Sequence, residues 1–269
     1  MSTPSSTIGV FDSGVGGLTV LRAIHRLLPH HDTAYLGDTA RVPYGTRSAE
    51  TVVRYAENAA RFLASREDLS VFVIACNTAS AVAVEAVARA IPVPVIGVIE
   101  PTAREAALGS PRGRIGVVGT RGTIASGAYQ RALTRLRPGV EVLAEACPLF
   151  VPLAEEGWTA KGDEVAELVA RRYLSGLVSR DIDTLILGCT HYPLLEDVIR
   201  GVVGPGVRLA DASEAVAREV AAVVGGRSAP PSASARGARY YVTDLPKGFA
   251  AVAERFLGAP IDAPIEVDL

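Results

Sequence analysis

The sequence predicts an α/β protein of two pseudo-symmetric, three-layer αβα domains with mostly parallel sheets and an active site in the interdomain cleft. Three observations predict it. Short apolar runs alternate with amphipathic helical stretches from start to end, the rhythm of parallel strands covered by helices on both faces. The run Ile115-Gly116-Val117-Val118-Gly119-Thr120 repeats the pattern of Ile8-Gly9-Val10-Phe11-Asp12-Ser13. Two cysteines also stand in matched settings: Val73-Ile74-Ala75-Cys76-Asn77-Thr78 and Leu185-Ile186-Leu187-Gly188-Cys189-Thr190-His191. Ile8 to Ile115 is an offset of 107 residues and Cys76 to Cys189 one of 113, so one α/β unit repeats with a small loop difference. A period this long means paired domains rather than a solenoid.

Ile8–Phe11 reads as the first strand. Leu18–Leu28 reads as a helix with Leu18, Leu21, Ile24, Leu27 and Leu28 on one stripe. Thr33–Leu36 is the next strand. Ser48 is placed to cap a helix over Ala49–Ser65. Val71–Ala75 is a buried strand, Ala79–Ala90 a helix of small residues, and Val95–Val98 a further strand. The pattern then restarts at Ile115. After it come a helix over Ser213–Val224 and a Gly-, Ser-, Pro- and Ala-rich break over Gly225–Gly237, expected to be a flexible loop. A strand at Arg239–Thr243 and a helix at Lys247–Leu257 follow. The expected first domain is residues 1–98 plus 210–269, with the tail packing back, and the second is 99–209. In open α/β sheets a small ligand binds outside the carboxyl ends of the strands.

Composition narrows the function classes. The chain has 269 residues, 49% hydrophobic and 21% charged, enough for two cores. A net charge of −2 argues against a nucleic-acid surface, which is usually basic. No apolar run approaches the ~18–20 residues of a membrane span. Met1–Thr7 is polar and lacks the features of a secretory signal, so the expected location is cytoplasmic. Three widely spaced cysteines, Cys76, Cys147 and Cys189, make no disulfide framework, and His25, His30, His31 and His191 are too scattered for a structural zinc site. Cys147 reads as a small buried hydrophobe.

Cys76 and Cys189 each follow a buried strand and precede hydrogen-bonding side chains. Two opposed thiols suit a reaction that removes a proton from one face of a carbon and returns one to the other. A thiol with a reference pKa near ~8.5 is a useful base once a helix N-terminus or a histidine favours its anion. Asn77, Thr78 and Thr190 are neutral donors suited to a carboxylate. His191 either relays protons to Cys189 or is an ordinary loop histidine. Asp12-Ser13-Gly14-Val15-Gly16-Gly17 follows a strand and opens a helix, but it fits neither the dinucleotide fingerprint nor the P-loop. Its glycines allow a tight turn that exposes N–H groups. Asp12 there either holds an ammonium group or supports a base, or it only complements the helix dipole. Gly37-Asp38-Thr39-Ala40-Arg41-Val42-Pro43-Tyr44-Gly45 is a loop, with Pro43 and Gly45 flanking Tyr44 in a turn that presents backbone donors.

Taken in order, Asp12-Ser13-Gly-Val-Gly-Gly-Leu, Asp38-Thr39, Pro43-Tyr44-Gly45, Ala75-Cys76-Asn77-Thr78-Ala79-Ser80 and Gly188-Cys189-Thr190-His191-Tyr192-Pro193 resemble the glutamate racemase family. That family sits among the cofactor-independent amino-acid racemases, which include aspartate racemase. The likeness also covers Gly119-Thr120, Pro148–Leu153 with Glu155, and Tyr241–Asp244. The resemblance implies that Cys76 takes the α-proton from D-glutamate and Cys189 from L-glutamate. Asp12 assists on the first side and His191 on the second, with Asp38 and Glu155 at acidic positions near the site. Asn77, Thr78, Thr190 and Thr120 would grip the α-carboxylate and amine, and Ser13 with the Tyr44-Gly45 backbone, after Pro43, the side-chain carboxylate. No cofactor and no metal are implied. The family context implies a bacterial cytoplasmic enzyme, commonly a homodimer, that supplies D-glutamate for peptidoglycan. Racemisation of aspartate or a hydantoin is the neighbouring reading. A two-lobed binding module without catalysis is the reading from a different class.

Overall fold

A computed structural model describes residues 7–225 and 237–269. The predicted break at Gly225–Gly237 falls almost wholly outside the described residues, as does most of the polar N-terminal segment. The first stretch runs β1 (Thr7–Asp12), α1 (Leu18–Leu27), β2 (Thr33–Gly37), α2 (Ala49–Arg66), β3 (Leu69–Ile74), α3 (Asn77–Ala90) and β4 (Val95–Gly97). The second runs α4 (Ile99–Gly109), β5 (Arg114–Gly119), α5 (Arg121–Ser126), α6 (Ala128–Leu136), β6 (Glu141–Ala146), α7 (Phe150–Glu156), α8 (Glu164–Ser179), β7 (Thr184–Gly188), α9 (Glu196–Val203) and β8 (Arg208–Ala210). The chain closes with α10 (Ala212–Val224), β9 (Ala238–Val242), α11 (Phe249–Leu257) and β10 (Ile265–Glu266). Two compact units result: Met1–Val98 with Ser213–Leu269, and Ile99–Ala212.

Each unit is built on its own sheet, and every strand pair described is parallel. The strand orders are β10-β9-β2-β1-β3-β4 and β6-β5-β7-β8. The run β2-β1-β3-β4 has the same connectivity as β6-β5-β7-β8, which is the duplication visible in the sequence. Every residue of β1, β2 and β7 is buried. Strands buried on both faces read as continuous apolar runs, and that is how these segments are recognised. On one face of the first sheet Phe11, Leu36, Phe72 and Ile74 pack with Ala56, Ala60 and Leu63 of α2 and Ala83 and Val87 of α3. Ile8 and Val10 point to the other face by the alternation of a strand. Burying a Leu- or Phe-sized side chain contributes about 1.5–3 kcal/mol, so these layers supply most of the driving force.

Local signals set the helix starts. Ser48 Oγ accepts from Thr51 N at 3.3 Å ahead of α2, and Asp163 Oδ1 accepts from Ala166 N at 2.9 Å ahead of α8. Such caps contribute about 1 kcal/mol each. One expectation is corrected. The helix after Cys76 begins at Asn77, not Ala79, because Ser80 N already donates to Cys76 O at 2.8 Å. Asn77 and Thr78 are therefore the first helical turn rather than a turn before it. The edge strands β6, β8 and β10 had no apolar run to announce them. They are short or half exposed, so little burial selects their residues.

Candidate active site

In the first unit the candidate residues gather at the carboxyl ends of β1, β2 and β3. Asp12 ends β1 and is 1% exposed, and its Oδ2 accepts from Gly14 N at 2.9 Å, which folds the glycine loop back over the strand. Tyr35 of β2 donates to Gly14 O at 2.7 Å from beneath. Burial, then the charges of Asp12 and Cys76, push the Tyr35 phenol well up, so it remains a donor. Gly37 has to be glycine here: a Cβ would lie 2.4 Å from Gly14 O. Gly17 is equally constrained, with a Cβ position 2.6 Å from that of Asp12.

Cys76 occupies the N-cap position of α3, buried, with Sγ 3.5 Å from Ser13 Oγ. Unpaired N–H groups and the positive end of the helix dipole favour negative charge at such a position. Ser80, one turn into α3, donates to Ile74 O at 2.7 Å and accepts from Val98 N at 3.0 Å, tying the helix start to β3. Asn77 and Thr78 are buried beside the thiol in sequence.

Asp38 is fully buried, and its carboxylate is engaged on three sides. It accepts from Tyr44 Oη at 2.5 Å, Thr243 Oγ1 at 2.8 Å and Arg41 Nη1 at 2.8 Å. Burial and the Asp38 carboxylate push the Tyr44 phenol far above its ordinary range. Tyr44 and Gly45 lie in a short 3-10 turn after Pro43, whose bond to Val42 is cis. The Pro43-Tyr44-Gly45 turn is therefore pinned from inside by Asp38.

In the second unit Cys189 follows β7, and the chain then enters a 3-10 turn at Tyr192–Leu195. Pro193 suits the start of such a turn because its missing N–H would be unpaired there. Cys189 Sγ lies 3.9 Å from His191 Nδ1, and His191 Nε2 lies 2.9 Å from Glu155 Oε1 of α7. Thr190 Oγ1 is 3.5 Å from His191 Nδ1. Burial works against a proton on His191, but the hydrogen bonds and charges of Cys189 and Glu155 outweigh it and raise the imidazole to about 10. A doubly protonated ring so placed donates to Glu155 from one nitrogen and to the sulfur from the other. Below this group, Tyr192 Oη donates to Cys147 O at 2.8 Å, and its ring meets Phe150 edge-on at 5.2 Å. Cys147 itself is fully buried, with its thiol pushed well up by burial.

The sequence-derived residues thus form two groups. Asp12, Ser13, Asp38, Pro43, Tyr44, Gly45, Cys76, Asn77 and Thr78 lie in the first unit, and Thr120, Glu155, Cys189, Thr190 and His191 in the second. Direct contacts join Cys76 to Ser13, Asp38 to Tyr44, Cys189 to His191, and His191 to Glu155. Thr120 accepts from Thr123 N at 3.2 Å and so caps α5. Sequence reasoning missed Tyr35, Ser80 and Arg41. Each has a main-chain partner elsewhere in the chain, Gly14 for Tyr35, Val98 for Ser80 and Leu269 for Arg41, which no local pattern announces. Among the described residues no group of His, Cys, Asp and Glu has the makings of a metal site, and no helix is long and apolar enough to cross a membrane.

Two parallel-sheet units of one connectivity, each with a thiol just past its third strand, define an α/β protein of the racemase class. Residues 8–220 match the Asp/Glu/hydantoin racemase family, and the chain belongs to it. The glutamate racemase of Geobacter metallireducens is 54% identical over 267 residues, covering 99% of this chain and 98% of its own. Among solved structures, the glutamate racemase of Francisella tularensis in complex with D-glutamate superposes with a TM-score of 0.90 at 36% identity, covering 98% of each chain. That of Thermus thermophilus in complex with β-chloro-D-alanine gives 0.87 at 45% identity, over 100% of this chain and 99% of that one.

Proposed function

We propose that this protein interconverts L- and D-glutamate by two-base proton transfer through Cys76 and Cys189, with no cofactor. One thiolate takes the α-proton and becomes a thiol. The opposite thiol gives its proton to the other face of the carbon and becomes a thiolate, so each turnover exchanges their roles and leaves the proton count unchanged. Cys76 acts on D-glutamate and Cys189 on L-glutamate. The observation that carries this reading is the pair of thiols at equivalent strand ends, each beside a different polar partner: the Ser13 hydroxyl for Cys76, and the His191–Glu155 pair for Cys189. The glutamate racemases at 36–54% identity support the substrate.

Asp12 supports the Cys76 side. Asn77, Thr78, Thr190 and Thr120 receive the α-carboxylate and amine, and Ser13 with the Tyr44-Gly45 backbone the side-chain carboxylate. Asp38 holds that turn. The hard step is loss of a weakly acidic α-proton, which fixed donors in a water-poor site make feasible by stabilising the developing carbanion. The working form is a cytoplasmic homodimer that supplies D-glutamate for peptidoglycan.

Cys76→Ser and Cys189→Ser, made separately, are expected to lower glutamate racemisation by about 10²–10⁴-fold, the usual scale for losing a general acid or base. Circular dichroism of either enantiomer follows the reaction, and ¹H NMR in D₂O follows α-proton exchange. Near-wild-type racemisation in either variant rules out the two-base scheme. Turnover of aspartate alone overturns the substrate, and no α-exchange in the intact protein leaves a binding module.

A further inference from the structure

A side chain of the Asp38–Thr46 turn, Arg41, hydrogen-bonds the residues that follow β10. β10 pairs with β9, Val267 N donates to Val242 O at 2.8 Å, and Val267 and Leu269 pack against the apolar core that contains Tyr44. Arg41 joins the two segments: Nη1 donates to Asp38 Oδ1 at 2.8 Å and Nη2 to the Leu269 main-chain oxygen at 2.8 Å. Its guanidinium stacks 5.1 Å from the Tyr55 ring of α2, and that ring lies 5.6 Å from Tyr44. The same Asp38 carboxylate holds Tyr44 and Thr243, and Thr243 Oγ1 accepts from Ala40 N at 2.9 Å. A planar fork with two ends is the group that bridges two oxygens in fixed geometry; a lysine offers one charged point.

We propose that residues 265–269 are a strap that sets the conformation of the 38–46 turn, and that Arg41 is the positioning residue through which the strap acts on Asp38 and Tyr44. The inference rests on the glutamate reading in one respect: the turn then grips the side-chain carboxylate, so the strap controls substrate affinity. The catalytic thiols are untouched by it.

The test uses the full chain with Arg41→Ala, Arg41→Lys, deletion of Val267–Leu269, and the combined Arg41→Ala deletion. Hydrogen exchange is expected to accelerate about tenfold in peptides spanning residues 38–47, with β1 and β3 unchanged, in both the alanine and the deletion variants. The KM for glutamate is expected to rise about tenfold while kcat stays within about threefold, the signature of lost binding rather than lost chemistry. The combined variant should be no worse than either parent, because both cut one chain of contacts. Arg41→Lys, keeping the charge but not the fork, should fall between wild type and alanine. Unchanged exchange at 38–47, an unchanged KM, or fully additive effects would overturn the strap. Faster exchange in the variants, together with an intact protein that racemises no glutamate, would keep the strap and sink the substrate reading instead.

Discussion

His191 is the most informative single residue. It is 8% exposed, and burial works against its proton, yet the hydrogen bonds and negative charges of Cys189 and Glu155 raise its pKa to about 10. Its folded pKa lies above the ordinary value of 6.5. The folded protein therefore binds more protons than the unfolded chain between those values, so this group's contribution to stability is complete below about pH 6.5 and is lost as pH rises toward 10. Urea unfolding across that window should show stability falling with pH in the wild type and a flatter profile in His191→Asn. An identical slope in both would mean that the imidazole carries no extra proton. Glu155 has a side chain 46% exposed, so solvent screens its share, and Glu155→Gln should flatten the slope only in part.

Among elements, the glycines that end β2 and β7 stand close against backbone oxygens of neighbouring segments. A Cβ on Gly37 would sit 2.4 Å from Gly14 O, and one on Gly188 would sit 2.7 Å from Val118 O and 3.0 Å from Tyr129 Cε2. Backbone oxygens cannot swing aside as a flexible side chain does, so Gly37→Ala and Gly188→Ala should each cost about 2 kcal/mol or more in urea midpoint measurements. Losses under ~0.5 kcal/mol would show that the strand ends yield. These same elements mark what was legible in the sequence. Buried strands such as β1, β3 and β7 were readable because two covered faces demand an unbroken apolar run. The start of α3 was misplaced because Asn77 and Thr78 resemble turn residues, although their side chains stand in a first helical turn. The site was half readable for a related reason. Residues carried on a strand end plus its next few positions form local motifs, whereas Arg41, Tyr35 and Ser80 also work through Leu269, Gly14 and Val98, partners the fold brings to them.

For the whole molecule, the main fact is that the chain leaves its first unit at Val98 and re-enters at Ser213. β9 must find β2 after that detour, and the register Thr33↔Ala238 to Gly37↔Val242 records the outcome. A cluster beside it holds the returning strand: Arg239 Nε donates to Glu67 Oε1 at 2.7 Å, its Nη2 also reaches Glu67, and Tyr241 Oη donates to Glu67 Oε1 at 2.7 Å. The Glu67 side chain is only 6% exposed, and removing it takes away the carboxylate that three donor groups of β9 share. Glu67→Ala is expected to destabilise the protein by about 1–3 kcal/mol in equilibrium unfolding, and no measurable loss would mean that strand pairing alone secures the return.

The two thiols have different neighbours, a hydroxyl for one and a charged imidazole for the other. Mirror-image molecules have identical free energies in water, so thermodynamics fixes the equilibrium constant of their interconversion at unity whatever the catalyst looks like. An enzyme with unlike halves must then match kcat/KM in the two directions while remaining free to divide that quotient differently. Such an enzyme can hold one enantiomer more tightly and turn it over more slowly, and hold the other loosely and turn it over fast. If Cys76 and Cys189 are the two bases, their unlike neighbours can bias which stereoisomer occupies the protein without ever biasing which accumulates in solution.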